Sequence, residues 1–179
     1  MTPMDDARDG ADARLEHHLL PGDGTIPNNP RLPLLVYRGV LEGDRATAEG
    51  CRALFARNGW SEGGWVNGVF AYHHYHAGTH EVLGVIGGEA RLRLGGEGGI
   101  EATVAAGDVV VIPAGVGHKN LGSSGDFRVV GGYPAGASVD MHRDDPADHD
   151  RAAATVAAVP LPDIDPVAGP DGPMLRLWR

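Results

Sequence analysis

The alternation of hydrophobic and polar positions divides the chain into one helical segment followed by a series of short strands. Apolar residues recur at helical spacing from Asp44 to Arg57, and Asn58-Gly59 ends that pattern. From Trp65 onward, short apolar segments are separated by glycine, which is typical of strands joined by tight turns. The predicted strands are Leu34–Val40, Val66–His76, Glu81–Ile86, Ala90–Leu94, Ile100–Val104, Val109–Pro113, His118–Leu121 and Phe127–Tyr133.

This order of elements predicts an all-β fold with a few short helices. No long helix interrupts the strands, which argues against a parallel sheet built from βαβ units. Several short strands at this spacing favour a sandwich or a closed barrel. The segments VLGVI and VVVI lack clean alternation. Both faces of these strands should therefore be covered, one by the barrel interior and the other by an added segment or a second subunit.

The length of 179 residues fits a single domain. Within it, the pattern changes from charged residues to strand and helix, then to the strand-rich region, and finally to an acidic, proline-rich end. We predict a disordered tail (1–14), an N-terminal strand and helix that pack on the barrel (15–64), the barrel core (65–135), and a short C-terminal helix with an extended tail that docks on the barrel (136–179).

Composition and charge limit the kinds of partner that we expect this protein to bind. The 28 glycines and 13 prolines indicate many tight turns. A formal net charge of −9 argues against binding nucleic acids or anionic membrane surfaces. No apolar segment approaches the roughly 20 residues that cross a bilayer, and the N-terminal segment lacks the apolar core of a secretory signal. We therefore expect a cytoplasmic protein. Its one cysteine, Cys51, is expected on the buried face of the helix.

The segment from His73 to Glu81 concentrates the candidate chemistry. Four of the nine histidines lie within eight residues here. Because side chains alternate along a strand, His74 and His76 share one face, and a returning strand would bring Glu81 back to it. Two imidazoles and one carboxylate bind divalent transition metals and leave positions open for water, oxygen or substrate. His118, which follows a strand and a turn, is the candidate for a further ligand.

One ligand and several pocket residues remain open at this level. A shift of one residue in strand register exchanges the faces of His80 and Glu81, so His80 is the alternative ligand. Tyr72 lies on the same strand face as His74 and His76. Asn120 lies two residues after His118, and Tyr133 ends the last predicted strand. These three are candidate pocket residues, and no catalytic residue is assigned.

Two stretches of the chain resemble the two motifs of the cupin superfamily. The first motif reads H-x-H, four residues, E, six residues, G, and is matched by His74, His76, Glu81 and Gly88. The second reads G, five residues, P-x-G, two residues, H, and is matched by Gly107, Pro113, Gly115 and His118. The second motif often ends with Asn four residues after its His, where this chain has Gly122.

The resemblance implies a fold and a cofactor. The fold is a double-stranded β-helix, the RmlC-like jelly-roll barrel. The family's ligands carry over to His74, His76, Glu81 and His118, which would hold one divalent transition metal. Mixed histidine and carboxylate ligands suit Fe, Mn, Ni, Co or Zn.

The flanks of the two motifs extend the resemblance to nearly the whole chain. Ile26–Pro30, Leu34–Tyr37 and Asp165–Pro173 are similar to segments of the YjlB-like bacterial cupins. That resemblance implies a homodimer, and similar cupins imply a metal-dependent dioxygenase or isomerase that acts on a small oxygenated metabolite. The alternative is a non-catalytic module that binds a small molecule or a metal and acts with a partner protein.

Overall fold

The strands form two antiparallel sheets, seen in a computed structural model that describes residues 14–179. One sheet has the strand order β1-β2-β8-β5-β10-β3 and the other β11-β4-β9-β6-β7, where the strands are β1 (Leu15–His18), β2 (Leu34–Tyr37), β3 (Glu62–Asn67), β4 (His74–Tyr75), β5 (Glu81–Gly87), β6 (Glu89–Leu94), β7 (Ile100–Ala105), β8 (Val109–Ile112), β9 (His118–Ser123), β10 (Arg128–Tyr133) and β11 (His142–Arg143). The predicted all-β fold is confirmed.

Short helical segments flank the sheets. The predicted helix from Asp44 to Arg57 is divided at Thr47, whose hydroxyl accepts a hydrogen bond from Gly50 N at 3.0 Å and so caps a new helix. Within residues 14–179, no helix is both long and apolar enough to cross a bilayer. The α-helices are α1 (Ala48–Arg57), α2 (His149–Ala157) and α3 (Met174–Leu177), and 3-10 turns cover Gly43–Ala46 and Pro146–Asp148.

Alternate residues of the central strands pack on opposite sides of the six-stranded sheet. Leu34 and Val36 of β2 join the inner cluster between the sheets, whereas Leu35 and Tyr37 join an outer cluster. Residues of α1, together with α3 and Trp178, complete the outer cluster. The chain therefore covers both faces of these strands with its own segments. Their burial requires no second subunit, so the predicted homodimer rests on the family resemblance alone.

The predicted strand Val66–His76 is wrong in its extent. β3 ends at Asn67, β4 begins at His74, and residues 68–73 are irregular. The reason is that β3 pairs with β10 in one sheet whereas β4 pairs with β9 in the other, so the chain crosses between the sheets here. The Asn67 side chain accepts a hydrogen bond from Gly68 N at 2.9 Å at the start of this crossing.

The first and last described segments of the chain pack on the sheets. The predicted disordered tail lies outside the described residues except for Arg14, which donates a hydrogen bond to Gly39 O at 3.0 Å. At the other end, the predicted extended tail contains α3 rather than remaining extended. Trp178 is buried and its indole N–H donates to Pro33 O at 2.8 Å.

Cys51 provides a test of the packing of α1. The thiol is buried in the outer cluster, and burial raises its pKa to about 12, so the reactive thiolate is absent at neutral pH. We expect Cys51 to resist iodoacetamide at pH 8 in the native protein and to react after unfolding in urea. Mass spectrometry of the alkylated protein measures this. Rapid modification without denaturant would contradict the packing.

Candidate metal site

The predicted ligands of the two motifs meet because β4 and β9 are neighbours. His74 lies directly opposite His118 in this antiparallel pair. The turn before β9 is held against the same segment, since Gly115 N donates to His76 O at 2.7 Å. Gly115 has a φ of +89°, and a Cβ there would lie 2.5 Å from Asn28 O. Glycine is therefore required for the turn that brings His118 next to His76.

Glu81 reaches the same point from the opposite sheet. It is the first residue of β5, and it shares the inner face with Leu83 because side chains alternate along the strand. Its Oε2 atom lies 3.1 Å from His76 Nε2, and its Oε1 atom lies 3.1 Å from His118 Nε2. Ligand atoms of these three buried residues all lie within 4.8 Å of one another. The structure thus brings together three of the four predicted ligands.

Backbone carbonyls fix the orientation of the imidazole rings. His76 Nδ1 donates to Asp140 O at 2.5 Å, and His118 Nδ1 donates to Val116 O at 3.1 Å. Because a carbonyl oxygen only accepts hydrogen bonds, each Nδ1 carries the proton, and in a neutral ring each Nε2 presents a lone pair. Those lone pairs face the oxygens of Glu81, which is the orientation that a metal ligand requires.

Burial and mutual contact set the charges in the cluster. Burial favours the neutral form of Glu81, but the hydrogen bonds and charges of His118 and His76 outweigh it and lower the pKa of this carboxyl well below its usual range. Burial likewise opposes protonation of His76, but the hydrogen bond and charge of Glu81 raise its pKa. The cluster therefore contains a buried carboxylate that requires positive charge around it.

His74 lies beside this cluster without belonging to it. Its ring centroid is 4.0 Å from that of His118 and 6.2 Å from that of His76. Its Nδ1 donates to Tyr72 O at 3.1 Å, which leaves Nε2 unprotonated in the neutral ring. Burial, with a smaller contribution from His118, lowers the pKa of His74 to about 3. His74 is thus a neutral imidazole in the same pocket.

His80, the alternative ligand, lies on the outer face of the sheet. Its Nδ1 accepts a hydrogen bond from Ala114 N at 2.9 Å, and its Nε2 donates to Pro160 O at 3.1 Å. The ring packs against Trp178 with the centroids 4.8 Å apart, and burial lowers its pKa to about 4. The structure does not bring His80 to the other predicted ligands, because both of its nitrogens are bound to backbone.

The cluster faces a pocket of about 320 Å³. His74 and the three clustered residues line it together with apolar side chains from β3, β5 and two irregular segments. Those segments also form the rim, where Phe70, Val139 and Met141 are each about half exposed. The other lining residues are Trp65, Asn67, Gly68, Val69, Leu83, Tyr133 and Asp140.

Of the three candidate pocket residues, Tyr133 lines the pocket and the other two do not. Tyr72 lies under the guanidinium of Arg143, whose Cζ is 3.6 Å from the ring centroid. The Asn120 side chain accepts a hydrogen bond from Gly122 N at 2.9 Å within its own strand. Burial, with a smaller contribution from the charge of Glu81, raises the pKa of Tyr133 above its usual range, so its hydroxyl stays protonated.

Sequence reasoning missed Asp140 and its neighbours Val139 and Met141 at the pocket rim. Asp140 is 64 positions from His76 and orients that ring through its backbone carbonyl, a role that no side-chain type reveals. Its carboxylate accepts hydrogen bonds from Gly78 N and His142 Nε2, each at 2.9 Å. The only available signal was the pair of apolar neighbours, Val139 and Met141, in an otherwise polar segment.

A family model and a full-length relative match this chain. The model of the Cupin domain family matches residues 65–130. The uncharacterized protein YjlB of Bacillus subtilis (strain 168) is 45% identical over 161 residues, which are 90% of this chain and 94% of YjlB. One solved structure similar to this chain is procruciferin, an 11S globulin of Brassica napus. It has 17% identity and a TM-score of 0.37, over 64% of this chain and 23% of the procruciferin chain.

A second solved structure is oxalate decarboxylase of Bacillus subtilis, a protein described with Mn(II) centres. It has 18% identity and a TM-score of 0.33, over 66% of this chain and 29% of that chain. The family is established by the full-length relative and the domain match rather than by these distant structures. The chain belongs to the cupins, in the family that includes YjlB.

Proposed function

We propose that this cupin binds one divalent transition metal through His76, Glu81 and His118, with His74 as a fourth ligand, and that it is a metal-dependent enzyme acting on a small oxygenated metabolite. The observation that carries the proposal is the approach of two imidazole Nε2 atoms to the Glu81 oxygens at 3.1 Å. Such a contact between electron-rich atoms is repulsive unless a proton or a cation compensates it.

A divalent cation fits this donor set better than protons do. Protonating both rings would bury two positive charges beside one carboxylate, which is costly away from water. One metal ion would bind all three side chains at once, and nitrogen and carboxylate donors suit Fe, Mn, Co, Ni or Zn. The backbone hydrogen bonds on both Nδ1 atoms, at His76 and His118, are the supporting contacts that metal-bound histidines usually make.

A bound metal of this kind supplies Lewis-acid or oxygen-binding chemistry, as dioxygenases and isomerases use. The chain itself contributes the shape of the pocket and one hydroxyl group that can donate a proton. Trp65 and Leu83 give the pocket an apolar wall. Tyr133 accepts a hydrogen bond from Trp65 Nε1 at 3.2 Å, and its hydroxyl also hydrogen-bonds the Glu81 carboxylate. Its proton therefore lies at the cluster, where an oxygen atom of a bound ligand would compete with Glu81 for it.

Tyr133→Phe tests whether the site is catalytic. We expect the metal-loaded wild-type protein to turn over at least one compound in a panel of keto acids, enediols and catechols. The variant should keep its metal content but lose about 100-fold in kcat, because it lacks the proton donor. Oxygen uptake and product chromatography measure this. Tight binding of a compound without any turnover would instead favour the non-catalytic module.

Asp140→Ala tests how the His76 ring is oriented. Alanine keeps the backbone carbonyl that binds His76 but removes both side-chain anchors of the segment. We expect the metal affinity to fall by about tenfold, as for other residues that orient ligands, in a competition titration with a chelating dye. Asp144→Ala, which removes the same charge at an exposed position, is the control. Equal affinities in the two variants would contradict this role.

We also propose a homodimer, on the resemblance to YjlB-like cupins alone. Light scattering should then give twice the chain mass of 18.7 kDa. A monomeric protein would not affect the proposed metal site, because all of its proposed ligands come from one chain.

A further inference from the structure

We infer that the pocket selects a chelating molecule that has an apolar body and carries no more than one negative charge. The inference rests on the proposed metal site and adds the class of ligand. It follows from three features of the described residues, which are the exposed apolar rim, the charges along the pocket wall, and the size of the pocket.

The rim exposes apolar side chains at one place. Within residues 14–179, the exposed large hydrophobic residues are Leu19, Phe70, Val139, Met141 and Leu161, and three of these five line the pocket. Phe70, Val139 and Met141 are 46%, 48% and 52% exposed. They come from two segments that are distant in sequence. Apolar side chains gathered from separate segments around a cavity favour a ligand that covers them.

Apart from the histidines proposed as metal ligands, the described residues of the pocket wall include no cationic side chain that could receive a second anionic group. No lysine or arginine is among the residues that line it, and its acidic members are Glu81 and Asp140. The guanidinium of Arg143 is instead stacked on Tyr72, which does not line the pocket. A dicarboxylate would therefore bring one carboxylate beside these acidic groups without a cation to compensate it.

Charge balance leads to the same class of ligand. A divalent ion and the Glu81 carboxylate together leave one positive charge, which a singly ionised chelator neutralises. The Asp140 carboxylate is bound to Gly78 N and His142 and its charge also acts on His76, so it disfavours a dianion further. A dianion such as oxalate would leave an uncompensated negative charge in a buried site.

The size of the pocket fits a small ring with a substituent. Its volume of about 320 Å³ lies near the lower limit of small-molecule sites. The oxygens of such a molecule would lie next to the histidines and Tyr133, and its apolar body would lie along Trp65 and the rim.

Calorimetric titration of Zn(II)-loaded protein with tropolone and with oxalate tests the inference. Tropolone is an aromatic chelator that ionises once, and oxalate is a small dianion. We expect tropolone to bind at least about tenfold more tightly. Met141→Lys should weaken tropolone about tenfold and bring the two affinities together, whereas Leu161→Lys, an exposed apolar position away from the pocket, should change neither.

The outcomes separate the two proposals. Metal content is measured before and after each titration, and the titrations are repeated with Mn(II), Fe(II), Co(II) or Ni(II) if the protein does not hold Zn(II). A protein that holds none of these five metals overturns the proposed function together with this inference. A loaded protein that prefers oxalate, or that responds equally to the two lysine variants, overturns this inference alone. Light scattering on the same variants provides a further check. If Met141→Lys changes the oligomer but not tropolone binding, the rim is a contact between copies and the inference is overturned.

Discussion

Glu81→Ala is expected to lower the affinity for Mn(II) or Zn(II) by about 100-fold or more, because it removes the only anionic member of the cluster and its charge acts in a buried site. The fold should survive, since the other two members keep their backbone hydrogen bonds. Competition titration with a chelating dye measures the affinity, and circular dichroism checks the fold.

His80→Ala is the matched control, because His80 is the adjacent residue on the same segment and is also buried. Its nitrogens are bound to Ala114 N and Pro160 O outside the pocket, so the variant should lose stability and keep its metal stoichiometry. If His80→Ala released the metal and Glu81→Ala did not, the proposed ligand set would be wrong.

Asp165→Ala is expected to destabilise the fold by about 3 kcal/mol or more, because it removes a fully buried carboxylate that binds several donors. One oxygen accepts hydrogen bonds from the Tyr37 hydroxyl and from Met174 N, and the other accepts from Val167 N at 2.8 Å and Ala168 N at 3.0 Å. The side chain thereby ties the C-terminal segment and α3 to β2.

Urea denaturation measures this effect through the midpoint and slope of unfolding. Asp163→Ala, which removes an exposed carboxylate two positions earlier, is the control and should change the free energy of unfolding by less than about 0.5 kcal/mol. Similar stabilities for the two variants would show that the buried network does not hold the C-terminal segment.

The part of the fold that depends on local pattern was predictable. The helix near α1 and most of the barrel strands follow from spacing and turn residues, as does the burial of β5 and β8 on both faces. The strand predicted across Val66–His76 failed because the chain changes sheets there. That change of sheet depends on the pairing of β3 with β10 and of β4 with β9. These partner strands lie far along the chain, so the local sequence pattern does not reveal the pairing.

The candidate site likewise divides into residues that the sequence pattern predicts and features that depend on long-range pairing. The motif spacing named His74, His76, Glu81 and His118, and the structure brings the last three together. The neighbouring strands β4 and β9 and the turn between β8 and β9 place the histidines, and β5 brings Glu81 from the opposite sheet. The choice between Glu81 and His80 depended on register, which only the pairing of β5 with β8 and β10 decides. Asp140 was not predictable, since a backbone carbonyl has no sequence signature.

Elemental analysis tests the central claim most directly. Metal-free wild-type protein and a variant carrying His76→Ala and His118→Ala are dialysed against Mn(II), Fe(II), Co(II), Ni(II) or Zn(II), and the bound metal is measured by mass spectrometry. We predict about one ion per chain in the wild type for at least one metal, and background levels in the double variant. Equal metal content in the two proteins, or none in either, would contradict the account.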